Sequence, residues 1–165
     1  MNTETLAPTS RVTPRSFYRV VAIAEAVTWT LLIGGMLLKY VFNAGGLGVL
    51  IGGSLHGLVF VSYGATAVLV GVNQRWPVKL IVGAVFTAIV PYATIPFDRW
   101  LEKNKKLEGD WRRAATDDPR DHTWVDKTMR WFLNHPVALS VVFVVVVVTI
   151  VTVLLILGPP GGWGK

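Results

Sequence analysis

Cysteine is absent from this chain of 165 residues. Its absence excludes disulfides, thiol catalysis and metal or iron–sulfur sites built on thiolates. Histidine is scarce, and of His56, His122 and His135 only the first falls inside an apolar run. A bis-histidine haem therefore has no second ligand there. Ser54 and His56 stand two apart, a spacing that turns them to different faces of a helix, and no other base–nucleophile pair stands out. No enzyme activity, cofactor or metal is expected from this sequence. Charge is sparse and one-sided, with 16 Lys and Arg against 10 Asp and Glu and a pI near 9.9. Such a balance can indicate nucleic acid, but here the cations cluster beside apolar runs, where anionic headgroups are their natural partners. Nucleic acid is not an expected partner.

What the chain has in abundance is apolar sequence gathered into blocks. Its residues are 52% hydrophobic and its mean hydropathy is +0.50. A helix needs about 20 mostly apolar residues to cross about 30 Å of hydrocarbon. Four runs approach that length, at 18–41, 49–71, 78–97 and 137–157. The expected fold is all-α, a polytopic helical bundle in the membrane with four transmembrane helices. The expected organisation is a disordered tail over 1–16, a three-helix membrane core over 17–97, a polar interfacial segment over 98–136, a fourth transmembrane helix over 137–158 and a tail over 159–165. The arginines before the first run give it a signal-peptide look, but the run is too long for one and no small-x-small site follows. It is expected to stay as a span. Trp163 and Lys165 are expected to anchor the far end at the interface.

The second run is the most informative. Gly48 and Gly52, and Gly53 and Gly57, stand four apart, and Gly64 follows, so neighbouring backbones can approach this helix closely. It carries His56, while the first run carries Glu25, and an ionisable group inside a span marks a place to look for function. The short glycine-rich link at 43–48 predicts an antiparallel hairpin. Matching the ends of the two runs at about 1.5 Å per residue sets Glu25 level with Ser62 and Tyr63 and leaves His56 in the other half of the membrane. The expected polar clusters are thus Glu25–Tyr63 and, across the third run, His56–Tyr92 with Thr94. Pro91 and Pro96 are expected to kink or break that third run.

From Asp98 to His135 the character changes: nine Lys or Arg and eight Asp or Glu interleave with four tryptophans. Trp100, Leu107, Trp111 and Ala114 recur at helical spacing, as do Val125, Met129 and Phe132, so two amphipathic helices at the headgroup level are expected. Asp117, Asp118, Asp121 and His122 form an acidic cluster, read as turn and capping residues rather than a cation site.

Arg11, Arg15, Arg19, Arg75 and Lys79 against Lys39 place the N-terminus in the cytoplasm. A complete third span would then carry the cation-rich 98–135 segment to the opposite side, against the same rule. Either that segment is exported as a charge-balanced unit, the version preferred on sequence, or the third run is re-entrant and returns it.

The order Phe17-Tyr-Arg-Val-Val-Ala-Ile-Ala-Glu25, Lys39-Tyr40, Gly53-Ser-Leu-His56-Gly57 through Tyr63, and Ile95-Pro-Phe-Asp98 resembles a family of small bacterial integral membrane proteins known as a domain of unknown function. The likeness covers about 17–101 and implies a three-span core, with no activity attached. Two functions remain in view. One is a non-catalytic accessory or scaffold subunit of a larger assembly in the cell membrane, bound to other membrane subunits or to itself. The other is a small oligomeric transporter or proton-coupled carrier using Glu25 and His56 with Tyr63 and Tyr92.

Overall fold

The computed structural model describes residues 12–157, without the side chains of 151, 154, 155 and 157. The expected tails at 1–11 and 159–165, with Trp163 and Lys165, lie outside the described residues. The described chain is helical and falls into two compact units that divide between Arg112 and Arg113. The first holds α1 (Pro14–Tyr40), α2 (Leu47–Asn73), α3 (Val78–Thr87) and α4 (Thr94–Lys103). The second holds a 3-10 turn (Pro119–His122), α5 (Trp124–Asn134) and α6 (Pro136–Leu157).

Helix α1 starts four residues earlier than its apolar run, inside the stretch expected to be a tail. Thr13 and Ser16 cap it reciprocally: the Ser16 amide donates to Thr13 Oγ1 at 3.1 Å and the Thr13 amide to Ser16 Oγ at 2.9 Å. Pro14, which has no amide hydrogen to satisfy, opens the first turn. Helix α2 follows antiparallel after a link in which Asn43 and Gly45 take positive φ angles. The two helices meet closely at the far end of the hairpin. A Cβ on Gly52 would lie 2.7 Å from the Leu31 carbonyl oxygen, and one on Gly48 would lie 3.0 Å from Gly35 Cα. This register, Gly35 against Gly48, differs from the one obtained by matching run ends. It slides α2 by about two turns, roughly 10 Å, relative to that count.

The third apolar run holds no helix long enough to cross a membrane. Helix α3 has 10 residues, about 15 Å, half of what a crossing needs. Pro91 cannot donate to a continuing helix and disfavours helical backbone at Val90, so the chain turns through 88–93, with Tyr92 in the left-handed region at φ 63°. It then restarts as α4, where Pro96 falls in the first turn and costs no helical hydrogen bond. The contacts trace an excursion and return. Trp76, just before α3, packs on Tyr18 with ring centroids 5.9 Å apart. Deeper in, Trp29 Nε1 donates to the Ala88 carbonyl at 3.1 Å, and Tyr92 reaches Thr30 at 3.3 Å. On the way back Thr94 donates to the Ala22 carbonyl at 3.1 Å, Arg19 Nε meets Asp98 at 3.0 Å, and Arg15 and Arg19 both pair with Glu102. Finally Trp76 Nε1 donates to the Lys106 carbonyl at 2.8 Å and Trp111 Nε1 to the Val12 carbonyl at 2.9 Å. Helices α3 and α4 thus form a re-entrant hairpin whose two feet stand at the N-terminal end of α1. Of the 98–135 segment expected on the side opposite the N-terminus, the part at 98–112 lies at the same end of the first unit as Thr13.

Small buried residues let four helices converge. Ala22, Ala67, Ala84 and Ala88 are essentially inaccessible and surround the buried Tyr18, Tyr63, Val70 and Leu101. Leu107 and Trp111, expected on a helix with Trp100, sit instead in the non-helical stretch after α4 and pack against this core. Outward, Val20, Ile23, Val27 and Leu31 on α1 and Leu50, Ile51, Leu55 and Leu58 on α2 remain exposed, as lipid-facing residues do. Helices α1 and α2 are each long and apolar enough to cross a membrane. A third crossing results if α5 and α6, bent by 105° at His135, are counted as one.

In the second unit the acidic cluster is taken up by local structure. Asp118 caps the 3-10 turn, accepting from the Arg120 amide at 2.9 Å. Asp121, almost fully buried, accepts from the Thr116 amide and hydroxyl at 2.9 and 2.6 Å and lies 3.5 Å from Arg130 Nη1. Thr123 caps α5 with Asp126 as its partner. Val125, Met129 and Phe132 fall on α5 as expected from their spacing, with Met129 buried.

Candidate functional site

Glu25 lies in the middle of α1 with no exposed surface. His56, on α2 and nearly as buried, brings Nδ1 to 3.6 Å from Glu25 Oε2. The two residues expected in opposite halves of the membrane are neighbours. The hairpin register explains the correction, because closest approach at Gly35 and Gly48 places position 56 beside positions 25 and 28. Thr28 completes the group: its hydroxyl donates to the Glu25 carbonyl at 3.0 Å and lies 3.3 Å from His56 Nδ1. Since that hydroxyl hydrogen is committed to the carbonyl, the Thr28 oxygen is left to accept from Nδ1–H, an assignment made from the bonding network. The Trp29 ring lies against the imidazole, centroids 4.3 Å apart, and Phe60 makes an edge contact with it at 6.1 Å. Neither carboxylate oxygen of Glu25 has a hydrogen-bond partner among the described residues.

Two turns away lies a second polar group. Tyr18 and Tyr63 share a hydrogen bond of 2.6 Å, Tyr63 reaches Thr87 Oγ1 at 2.9 Å, and Thr87 donates to the Ala84 carbonyl at 2.6 Å. Tyr63 therefore pairs with Tyr18 and Thr87, not with Glu25. Tyr92 pairs with Thr30, not with His56, and remains 44% exposed. Ser62 turns outward and bonds its own helix at Leu58. Tyr18 and Thr87 were not among the residues singled out from sequence, yet a signal existed. Tyr18 and Glu25 are seven apart on α1, and His56 and Tyr63 are seven apart on α2. Equal two-turn spacings on antiparallel helices mate both pairs at once.

The glycines divide by environment. Gly48 and Gly52 sit where a Cβ would press on the α1 backbone, while one on Gly53 would make ordinary contact with Leu32 at 3.7 Å. At Gly57 and Gly64 a Cβ would meet nothing within 4 Å.

Chemically, the Glu25–His56 group offers an acid and a base in contact, with Thr28 orienting the ring. Ser54 is exposed and Ser62 is partly buried and bonded to the Leu58 carbonyl, so neither lies in this group as a nucleophile. Among the described residues no set of three or more His, Cys, Asp and Glu is disposed to hold a metal ion.

No solved structure matches the chain. A protein of Streptomyces coelicolor, provisionally named a membrane protein, is 39% identical over 88 residues. That match takes in 53% of this chain but only 10% of the relative, so the chain spans about a tenth of that protein's length. A family model matches residues 15–103, which is the stretch from the first turn of α1 to the last residue of α4. This membrane chain therefore belongs to the family described as "Domain of unknown function (DUF3817)".

Proposed function

We propose that this protein is a non-catalytic accessory subunit of a larger membrane assembly, and that it receives a partner's transmembrane helix on the far end of its α1–α2 hairpin. The observation that carries this reading is a groove there. The α3–α4 hairpin reaches only to about Thr30, whereas α1 runs on to Tyr40 and α2 begins at Leu47. Between them runs a groove of about 310 Å³ lined by Thr30, Leu31, Gly34, Gly35, Ile51 and Gly52, among others. Small residues let a third backbone come close, which is how helices associate in lipid. The Streptomyces relative supports the reading, since a matching stretch there is a small part of a much longer membrane protein.

The N-terminus and the feet of the α3–α4 hairpin face the cytoplasm. Arg15, Arg19, Arg75 and Lys79 stand at that end, and the re-entrant path adds Lys103, Lys105 and Lys106 to them, so the positive-inside rule no longer contradicts itself. Helix α6 serves as a third crossing. It is mostly valine, isoleucine and leucine, and its Ser140 and Thr149 hydroxyls donate to carbonyls of their own helix.

The test is a photo-crosslinking residue at Gly34 in native membranes, with adducts identified by mass spectrometry. Adducts to a membrane protein are the expected result. Adducts to lipid alone, or only to α6 of the same chain, would overturn it. A second reading, a small oligomeric proton-coupled carrier, is favoured by one observation, the contact between Glu25 and His56. Uptake unchanged by Glu25→Gln and His56→Ala would end it.

A further inference from the structure

An ionised carboxylate in a low-dielectric interior is costly unless it is paired and hydrogen-bonded. Glu25 is fully buried among helices, and among the described residues its two oxygens have no hydrogen-bond partner. The group close enough to compensate it is the imidazole 3.6 Å away. With no proton beyond the one every neutral imidazole carries, this pair has a net charge of −1. With two further protons it is +1. With one it is neutral, whether the proton sits on the carboxyl, leaving both groups uncharged, or on the imidazole, making an adjoining ion pair. Moving the proton from the carboxyl to the ring leaves carboxylate and imidazolium and changes no net charge.

We propose that Glu25 and His56 form one proton-binding site inside the bundle, which takes up a single proton that the two groups share in titration.

Every element around the pair is consistent with it. Thr28, one turn along α1 from Glu25, holds Nδ1 by its oxygen and so fixes the ring edge toward the acid. Trp29 and Phe60 lie against the imidazole and offer it no charge. On α1 the other titratable groups facing this interior are Tyr18, bonded to Tyr63, and Arg19, paired with Asp98 and Glu102. On α2 there is Tyr63, held by Tyr18 and Thr87. Helix α3 contributes Thr87, which does not titrate, while its Lys79 is exposed. Helix α4 brings Asp98, nearly buried and met by Arg19, and Tyr92 in the turn before it bonds Thr30. Among the described residues no cation other than a protonated His56 lies against the Glu25 carboxylate, so the pair must reach neutrality through its own proton. The break between α3 and α4 lies against the same stretch of α1. Thr94 bonds Ala22 on one side of Glu25 and Ala88 accepts from Trp29 on the other. The site therefore adjoins the interrupted segment of the bundle, the arrangement in which membrane proteins place ion sites. This inference concerns a ligand and stands with either functional reading above.

The experiment is nuclear magnetic resonance on the full chain in lipid nanodiscs, with 13C-labelled glutamate and 15N-labelled histidine, read across pH. Glu25→Gln and His56→Gln assign the two signals, and Glu108→Gln, an exposed site, serves as control. The expected result at neutral pH is one proton on the pair. Glu25→Gln should then displace the His56 midpoint by about one pH unit or more, as coupled sites require, and Glu108→Gln should leave it alone. A carboxylate beside a neutral imidazole at neutral pH would overturn the proposal, as would protons on both groups or midpoints indifferent to the partner's removal. Should a variant fail to fold, the proton count on the unaltered protein still decides.

Discussion

Replacing Gly52 by alanine adds one methyl group where α2 crosses α1. The new Cβ would stand 2.7 Å from the Leu31 carbonyl oxygen and 2.9 Å from its carbon, against 3.4 Å for ordinary contact. The shortfall is about 0.7 Å, and both atoms belong to backbone, which cannot rotate away. The helices must separate, loosening the contacts of the hairpin along their length. Overpacking of this kind costs about 1–3 kcal/mol. Alanine also gains roughly 1 kcal/mol of helix propensity over glycine, which would blur the result by itself. Gly57→Ala removes that ambiguity, since it lies on the same helix with nothing within 4 Å of its Cβ. The propensity gain is common to both, so the difference isolates packing. Unfolding by dodecyl sulfate, followed by helical circular dichroism in mild detergent, should find Gly52→Ala less stable than Gly57→Ala by about 1–3 kcal/mol. Equal stability would refute the packing argument and with it the register that joins Glu25 to His56.

Other outcomes follow from the same geometry. Arg19→Ala strands the nearly buried Asp98 and should cost about 1–3 kcal/mol in the same assay, whereas Arg15→Ala, whose side chain is half exposed, should cost under about 1 kcal/mol. Trp29→Phe keeps a ring against His56 but leaves the Ala88 carbonyl without its donor, a loss of about 1–3 kcal/mol, and hydrogen exchange should quicken in 88–93 before it does elsewhere in the first unit. Because the chain has no cysteine, single cysteines at Thr13 and Lys105 can be labelled from one side at a time. Both should react from the same side, and reaction from opposite sides would reject the re-entrant path.

How far the sequence could be read depended on the kind of information each feature carries. Helices α1 and α2 declare themselves by length and hydropathy, which are local properties. The 78–97 run has the composition of a span, and Pro91 and Pro96 announced an interruption, but composition does not say whether an interrupted helix continues or returns. Arg15 and Arg19 against Asp98 and Glu102 decide that, through contacts between residues some eighty positions apart. Register failed for a related reason. Matching the ends of apolar runs assumes that helices begin level, whereas they pack where their backbones come closest. The glycines marked α2 as a packing surface, and Gly35 on α1 was the partner needed to set the depth. The first amphipathic helix expected in the charged segment was a coincidence of spacing: Leu107 and Trp111 reach the core from non-helical chain, and Gly109 at φ 103° shows why no helix runs through them.

On the topology proposed above, the α3–α4 hairpin also sets the parity of this stretch of chain. In that topology the chain from Arg15 to Lys103 crosses with α1, recrosses with α2, dips with α3 and comes back with α4, so it leaves on the side where it began. A segment of odd parity would invert everything downstream of it. One of even parity can be joined to another membrane protein, at either end or within a loop, without turning any later helix upside down. Such a module can be carried from one architecture to another while the host keeps its own orientation.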